Sequence, residues 1–184
     1  ESQEEEIIST TEESLSSIIK LNDKIKEARL DLLKTEKPDW EQQQKTKESL
    51  QEIEEQIENF QKLNDKLNLL NSQGDKHDLF SDEVMNKFRD LQKMVEEILP
   101  QEMFKDMEWM KEAFEKLDID DMISALDNIS NNLNHIEQEL DRFLDIFQRI
   151  KAEQKIDEIR KRLEHLVSNQ DNFDQQIRSI NKRT

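Results

Sequence analysis

Cysteine and tyrosine are absent from this chain, glycine occurs once and proline twice in 184 residues. Each scarcity removes an architecture. Sandwiches, barrels and doubly wound sheets need frequent turn residues and strand-forming runs, and this chain has neither. Helix is what remains. The lack of cysteine is compatible with any redox compartment and selects none. No apolar run approaches the roughly 20 residues that cross a bilayer, and no signal peptide opens the chain. The segment is therefore expected to be soluble and not to insert in a membrane. No glycine-rich phosphate loop, no nucleophilic Ser or Cys setting and no cleft-forming carboxylate pair is present, so neither an enzyme active site nor a cofactor is expected.

What the chain has in quantity is charge. Acidic residues number 44 against 27 basic ones, a net charge of −17, which opposes binding to a phosphate backbone and excludes nucleic acid as the expected partner. Hydrophobic residues make up 33% and charged residues 39%, too polar for one thick core but suited to narrow apolar seams between long helices. The expected fold is all-α: an elongated antiparallel coiled-coil or helical bundle of about five helices with one very long C-terminal helix.

The seams are legible as three- and four-residue spacings. Ile18, Leu21, Ile25, Ala28 and Leu32 mark a first helix over about 4 to 36. Pro38 breaks it, and a turn at 37–40 leads to a second helix bearing Leu50, Ile53, Ile57, Phe60, Leu67 and Leu70, with Asn64 interrupting the stripe. That helix is expected to end near Gly74, making residues 1–74 an antiparallel hairpin and 71–80 a loop. Residues 75–184 then form a second unit: helices near 82–99 and 101–117 continue into a long helix near 120–182. Ser81 is the expected N-cap of the first of these, and Pro100 opens the second.

In the long helix, Met122, Leu126, Ile129, Leu133, Ile136, Leu140, Phe143, Phe147 and Ile150 keep a four-three pattern. The pattern then resumes two residues out of step at Ile156, Ile159, Leu163, Leu166, Phe173, Ile177 and Ile180. A shift near 151–155 means a local change of supercoil or a change of packing partner, and the partner change is the preferred reading, with the first hairpin as the expected new partner. A charge placed at Leu163 is expected to reduce helicity or association.

Several polar groups are candidates for function. Asp141, Arg142, Asp145, Arg149, Glu153 and Gln154 follow one another at helical spacing, either as a solvated ion-pair ladder or as interhelical bonds that set register at the shift. His135 and Glu139 have the one-turn spacing of a metal pair, and Asp75, His77 and Asp78 cluster in the expected loop, but neither set has a matching second half, so no metal site is expected. Asp118, Asp120 and Asp121 read as helix-capping carboxylates. Trp40 at the hairpin tip and Met103, Met107 and Met110 are candidate partner contacts. Methionines at this spacing more often belong to a core.

Leu79 to Ser81 with Asp82-Glu83, Leu99-Pro100-Gln101-Glu102-Met103, and the run from Leu140-Asp141-Arg142 to Ala152-Glu153-Gln154-Lys155 stand in a particular order, preceded by Asp39-Trp40. In these segments the chain resembles a bacterial family known as domain of unknown function 4175, with Phe143 and Gln148 departing from the Thr and Lys of many relatives. The resemblance implies the periplasmic helical part of a membrane-anchored envelope protein, and no catalytic residue. The chain starts at Glu1 in mid-pattern, as expected of a segment whose anchoring parts lie elsewhere. The expected role is that of a non-enzymatic scaffold that self-associates or binds another envelope component. The alternative is an adaptor binding one specific protein through Trp40 or the methionine-rich helices.

Overall fold

The computed structural model describes residues 2–77 and 80–181, with side chains for all of these except 75, 77, 174–176 and 178–181. Among the described residues there are five α-helices and no strand: α1 (Gln3–Leu32), α2 (Trp40–His77), α3 (Asp82–Glu97), α4 (Gln101–Lys116) and α5 (Ile119–Asn181).

The helix ends follow local chemistry. Ser2 and Glu5 form a reciprocal capping box at the start of α1. Asp39 does the same for α2, its Oδ1 accepting from the Gln42 N–H at 2.8 Å while Gln42 Oε1 accepts from the Asp39 N–H at 3.0 Å. The first helix ends at Leu32, earlier than 36, and there the Asp31 carbonyl accepts from the Lys34 N–H, the Thr35 hydroxyl and the Gln42 amide. Such donors satisfy an orphan carbonyl that another helical turn would otherwise take. Ser81 caps α3 as expected. Asp118 Oδ1 accepts from the Asp121 N–H at 3.1 Å and so caps α5. Just before it Leu117 turns the chain with φ 54°, a left-handed conformation that costs a non-glycine residue about 1–2 kcal/mol.

Gly74 does not end a helix. Residues 71–77 are helical, so the expected loop at 71–80 is not formed over these seven residues. The reason is tertiary. A Cβ on Gly74 would lie 2.6 Å from Met85 Sδ and 2.7 Å from Phe80 Cδ2, so glycine is there to let the start of α3 fold back against α2. Asn64 does not interrupt the stripe either, since Leu63, fully buried beside Leu67, carries it.

Ion pairs fix the directions. Arg29 reaches Asp127 at 2.9 Å while Lys151 approaches Glu5 at 3.9 Å, so α1 and α5 are antiparallel. Lys24–Glu52 at 2.6 Å and Lys66–Glu6 at 2.8 Å set α1 antiparallel to α2. Asp106 accepts from Asn128 and Asn132, and Lys87 meets Glu153, so α4 and α3 both run against α5. The architecture is an up-down-up-down bundle of four columns in which the third column, α3 followed by α4, is broken at Leu99-Pro100.

Two stacked cores run through the bundle. One gathers Ile18 to Leu32, Leu50 to Phe60, α4 and Met122 to Leu140, and the other gathers Ile7, Leu63 to Leu70, α3 and Phe143 to Ile150. Both draw on residues from either side of position 74, so no separate core marks that boundary. In the second core Phe88 packs against Phe80 and Phe147 at ring-centroid distances of 5.3 and 5.7 Å. The bundle ends at Ile150, but α5 continues.

Candidate interaction surfaces

Helix α5 is 63 residues long, about 95 Å at 1.5 Å per residue. Its stripe is buried from Met122 to Ile150, then exposed from Ile156 to Ile177, where each apolar side chain keeps 55 to 65% of its surface in water. The two-residue shift read in the sequence coincides with this boundary. At 100° per residue it turns the stripe by about 200°, to the face of α5 that points away from the bundle. The hairpin of α1 and α2 was the expected cover for this downstream half. It packs instead on the upstream half, where α1 supplies the matching heptads Ile7, Thr11, Ser14, Ile18, Leu21, Ile25 and Ala28. Residues 151–181 form an arm, and among the described residues no helix lies along its apolar face.

The root of the arm carries two interhelical ion pairs. Glu153 on α5 accepts from Lys87 on α3, which also pairs with Glu83 at 3.1 Å. The Glu153 hydrogen bond, with that of Glu83, raises the Lys87 ammonium above its ordinary pKa. Lys151 approaches Glu5 across the seam with α1.

Of the polar run singled out in the sequence, Glu153 alone bonds another helix among the described residues. Arg142 reaches only Glu139 on its own helix, at 3.8 Å. Asp141, Asp145, Arg149 and Gln154 make no ion pair or side-chain hydrogen bond among the described residues, so the ladder is not formed. Asp141, Arg142, Asp145 and Arg149 are exposed on a face that α5 turns to water, whereas Gln154 is half-buried in line with the seam.

Register is held elsewhere. Asn22, 2% exposed on α1, donates to Asn134 Oδ1 at 2.6 Å and accepts from the Ser130 hydroxyl at 2.7 Å, a polar layer inside an otherwise apolar seam. A second such link joins α2 to α3 through Asn71, which donates to Gln92 Oε1 at 2.8 Å. These residues were not singled out in the sequence. Asparagines beside a stripe were the available signal, but the partner of Asn22 lies 112 residues away.

Met103, Met107 and Met110 are at most 5% exposed and sit in the core with Leu126 and Ile129, so they offer no docking surface. Trp109 packs partly buried against the same core. Trp40, in contrast, is 78% exposed at the first position of α2.

His135, Glu139 and Arg142 line an open groove between α3 and α5 together with Lys87, Asp90 and Glu97. Among the described residues no three His, Asp or Glu side chains converge as metal ligands. The side chains of Asp75 and His77 and the whole of Asp78 lie outside the described residues. Among those described, no helix is long and apolar enough to cross a membrane. No protein-family model, curated protein or solved structure matches the chain.

Proposed function

We propose that this chain is a non-enzymatic structural segment: a helical bundle that anchors one end of a stiff arm and holds other parts of an assembly at a distance. The observation that carries the reading is the continuity of α5, half packed as a bundle column and half projecting with its apolar stripe in water. The polar side chains that bridge helices support it as well. Asn22, Ser130, Asn128 and Asn132 bond one another or a carboxylate across packed elements, an arrangement that sets register rather than presenting reactive groups to a cleft.

The resemblance of residues 79–103 and 140–155 to the domain of unknown function 4175 family adds context. On that reading the segment belongs to a membrane-anchored bacterial envelope protein and works in the periplasm, where a spacer of this length would separate a membrane anchor from a distal component. A second reading, an adaptor for one protein partner, is favoured by Trp40 alone, a large ring left exposed at the end of the bundle remote from the arm.

Small-angle X-ray scattering of the chain tests the structural reading. A maximum dimension of about 95 Å or more, set by an unbroken α5, is the expected result. A compact particle, with the arm folded back on the bundle, would remove the spacer.

A further inference from the structure

We propose that the arm of α5 pairs with the same arm of a second copy of this chain, in antiparallel orientation. The inference rests on the reading of the chain as a structural segment and names the partner of its exposed face.

The stripe from 156 to 180 advances by three, four, three, four, three, four and three residues, a heptad pattern covering about 37 Å of helix. Such a repeat matches another helix of like kind, because a period of 3.5 keeps the apolar edge on a partner that supercoils with it. All the described apolar positions on it are more than half exposed. Read backwards the spacing is unchanged. Two arms can therefore meet head to tail about Ser168, with Ile156 opposite position 180, Ile159 opposite Ile177, Leu163 opposite Phe173 and Leu166 opposite Gln170.

Charge chooses the orientation. Positions 155–162 hold Lys155, Arg160, Lys161 and Arg162 against Asp157 and Glu158, whereas 164–174 hold Glu164, Asp171 and Asp174 with no Lys or Arg. Antiparallel pairing about Ser168 lays positions 155–162 of one arm along 174–181 of the other, and by heptad register brings the base at position 160 beside the acid at position 174 on both sides of the pair. Parallel pairing sets like charge against like, with Lys155 beside Arg160 of its partner. Val167 supports the same choice. It flanks the stripe and is 59% exposed, and antiparallel arms bring it against its own copy at the centre of the pair, whereas parallel arms set it against Arg162.

The resulting particle would place two bundles at opposite ends of a shared rod. The absence of native cysteine makes its test direct. Sedimentation equilibrium of the chain between about 1 and 100 µM is expected to show a monomer–dimer equilibrium. Leu163→Asp is expected to abolish the dimer while leaving the bundle's helical melting in place, because Leu163 makes no part of the bundle core. Under mild oxidation Val167→Cys is expected to form a covalent dimer and Gln170→Cys is not, since position 170 faces its own copy only in a parallel pair. A chain monomeric throughout overturns the proposal, as does a dimer that cross-links at 170 rather than 167, or one that Leu163→Asp leaves intact. Scattering separates this failure from that of the structural reading: an elongated monomer leaves the spacer standing without self-association, and a compact monomer removes both.

Discussion

The side-chain amide of Asn22 lies 2.6 Å from Asn134 Oδ1, across the seam where α1 runs against α5, with the Ser130 hydroxyl donating to the same Asn22. Buried polar layers of this kind do little for net stability but make every other register of two apolar stripes leave an unpaired amide in the core. Asn22→Ala removes both bonds and strands Ser130, 6% exposed, without its partner. Denaturant unfolding should show a loss of about 1–3 kcal/mol. Asn22→Leu combined with Ser130→Ala should recover most of it. An Asn22→Ala chain as stable as the parent would mean that the layer contributes nothing to the seam.

Gly74 sits in a helix at a residue type that helices disfavour by about 1 kcal/mol relative to Ala. Replacement by Ala should therefore stabilise if local propensity decided the outcome. The positions of Phe80 and Met85 argue the opposite, since an added methyl meets both closer than 3.0 Å, and overpacking costs about 1–3 kcal/mol. Gly74→Ala is expected to lower the melting temperature, and the second substitution Phe80→Leu to restore part of it by opening the space. A higher melting temperature for Gly74→Ala alone would mean that Phe80 and Met85 do not crowd this position.

Those two residues mark where sequence reading stops. Breaks governed by adjacent residues were legible: Pro38 and Asp39 at the first turn, Ser81 before α3, Pro100 before α4. So was the out-of-step stripe beyond Ile150, because side-chain spacing on one helix records which face needs cover. Gly74 was misread because its cause is a ring arriving from six residues further on rather than a backbone conformation. The ladder from Asp141 to Gln154 was misplaced for a related reason. Helical spacing shows which charges can meet on one helix, but Lys87, the cation that does reach Glu153, lies on another helix whose distance only the packed bundle determines.

The bundle and the arm should respond differently to the same chemical change. Leu133 is fully buried among the residues of the first core, and Leu133→Ala is expected to cost about 2–5 kcal/mol. Leu163→Ala, at a site 57% exposed, should change unfolding of the dilute chain by no more than about 0.5 kcal/mol. Equal losses at both sites would mean that the arm packs against its own bundle.

Lys87 ties α3 to α5 at the point where the arm leaves the bundle, and the hydrogen bond from Glu153, supplemented by Glu83, raises its pKa above the ordinary 10.5. A raised folded-state pKa gives stability that is fully present below the unfolded value and is lost as pH climbs through the folded one. Lys87→Met should then differ from the parent by a constant amount from pH 6 to about pH 9, with the difference shrinking only above pH 10.5. Both partners are solvated, so the constant amount is small. Because Lys87 is shared, Glu153→Gln alone leaves it paired with Glu83 on its own helix, and the alkaline response should weaken rather than vanish. Denaturant unfolding of the three chains across this range checks both points. A difference that varies near neutrality would have to come from a group other than this lysine.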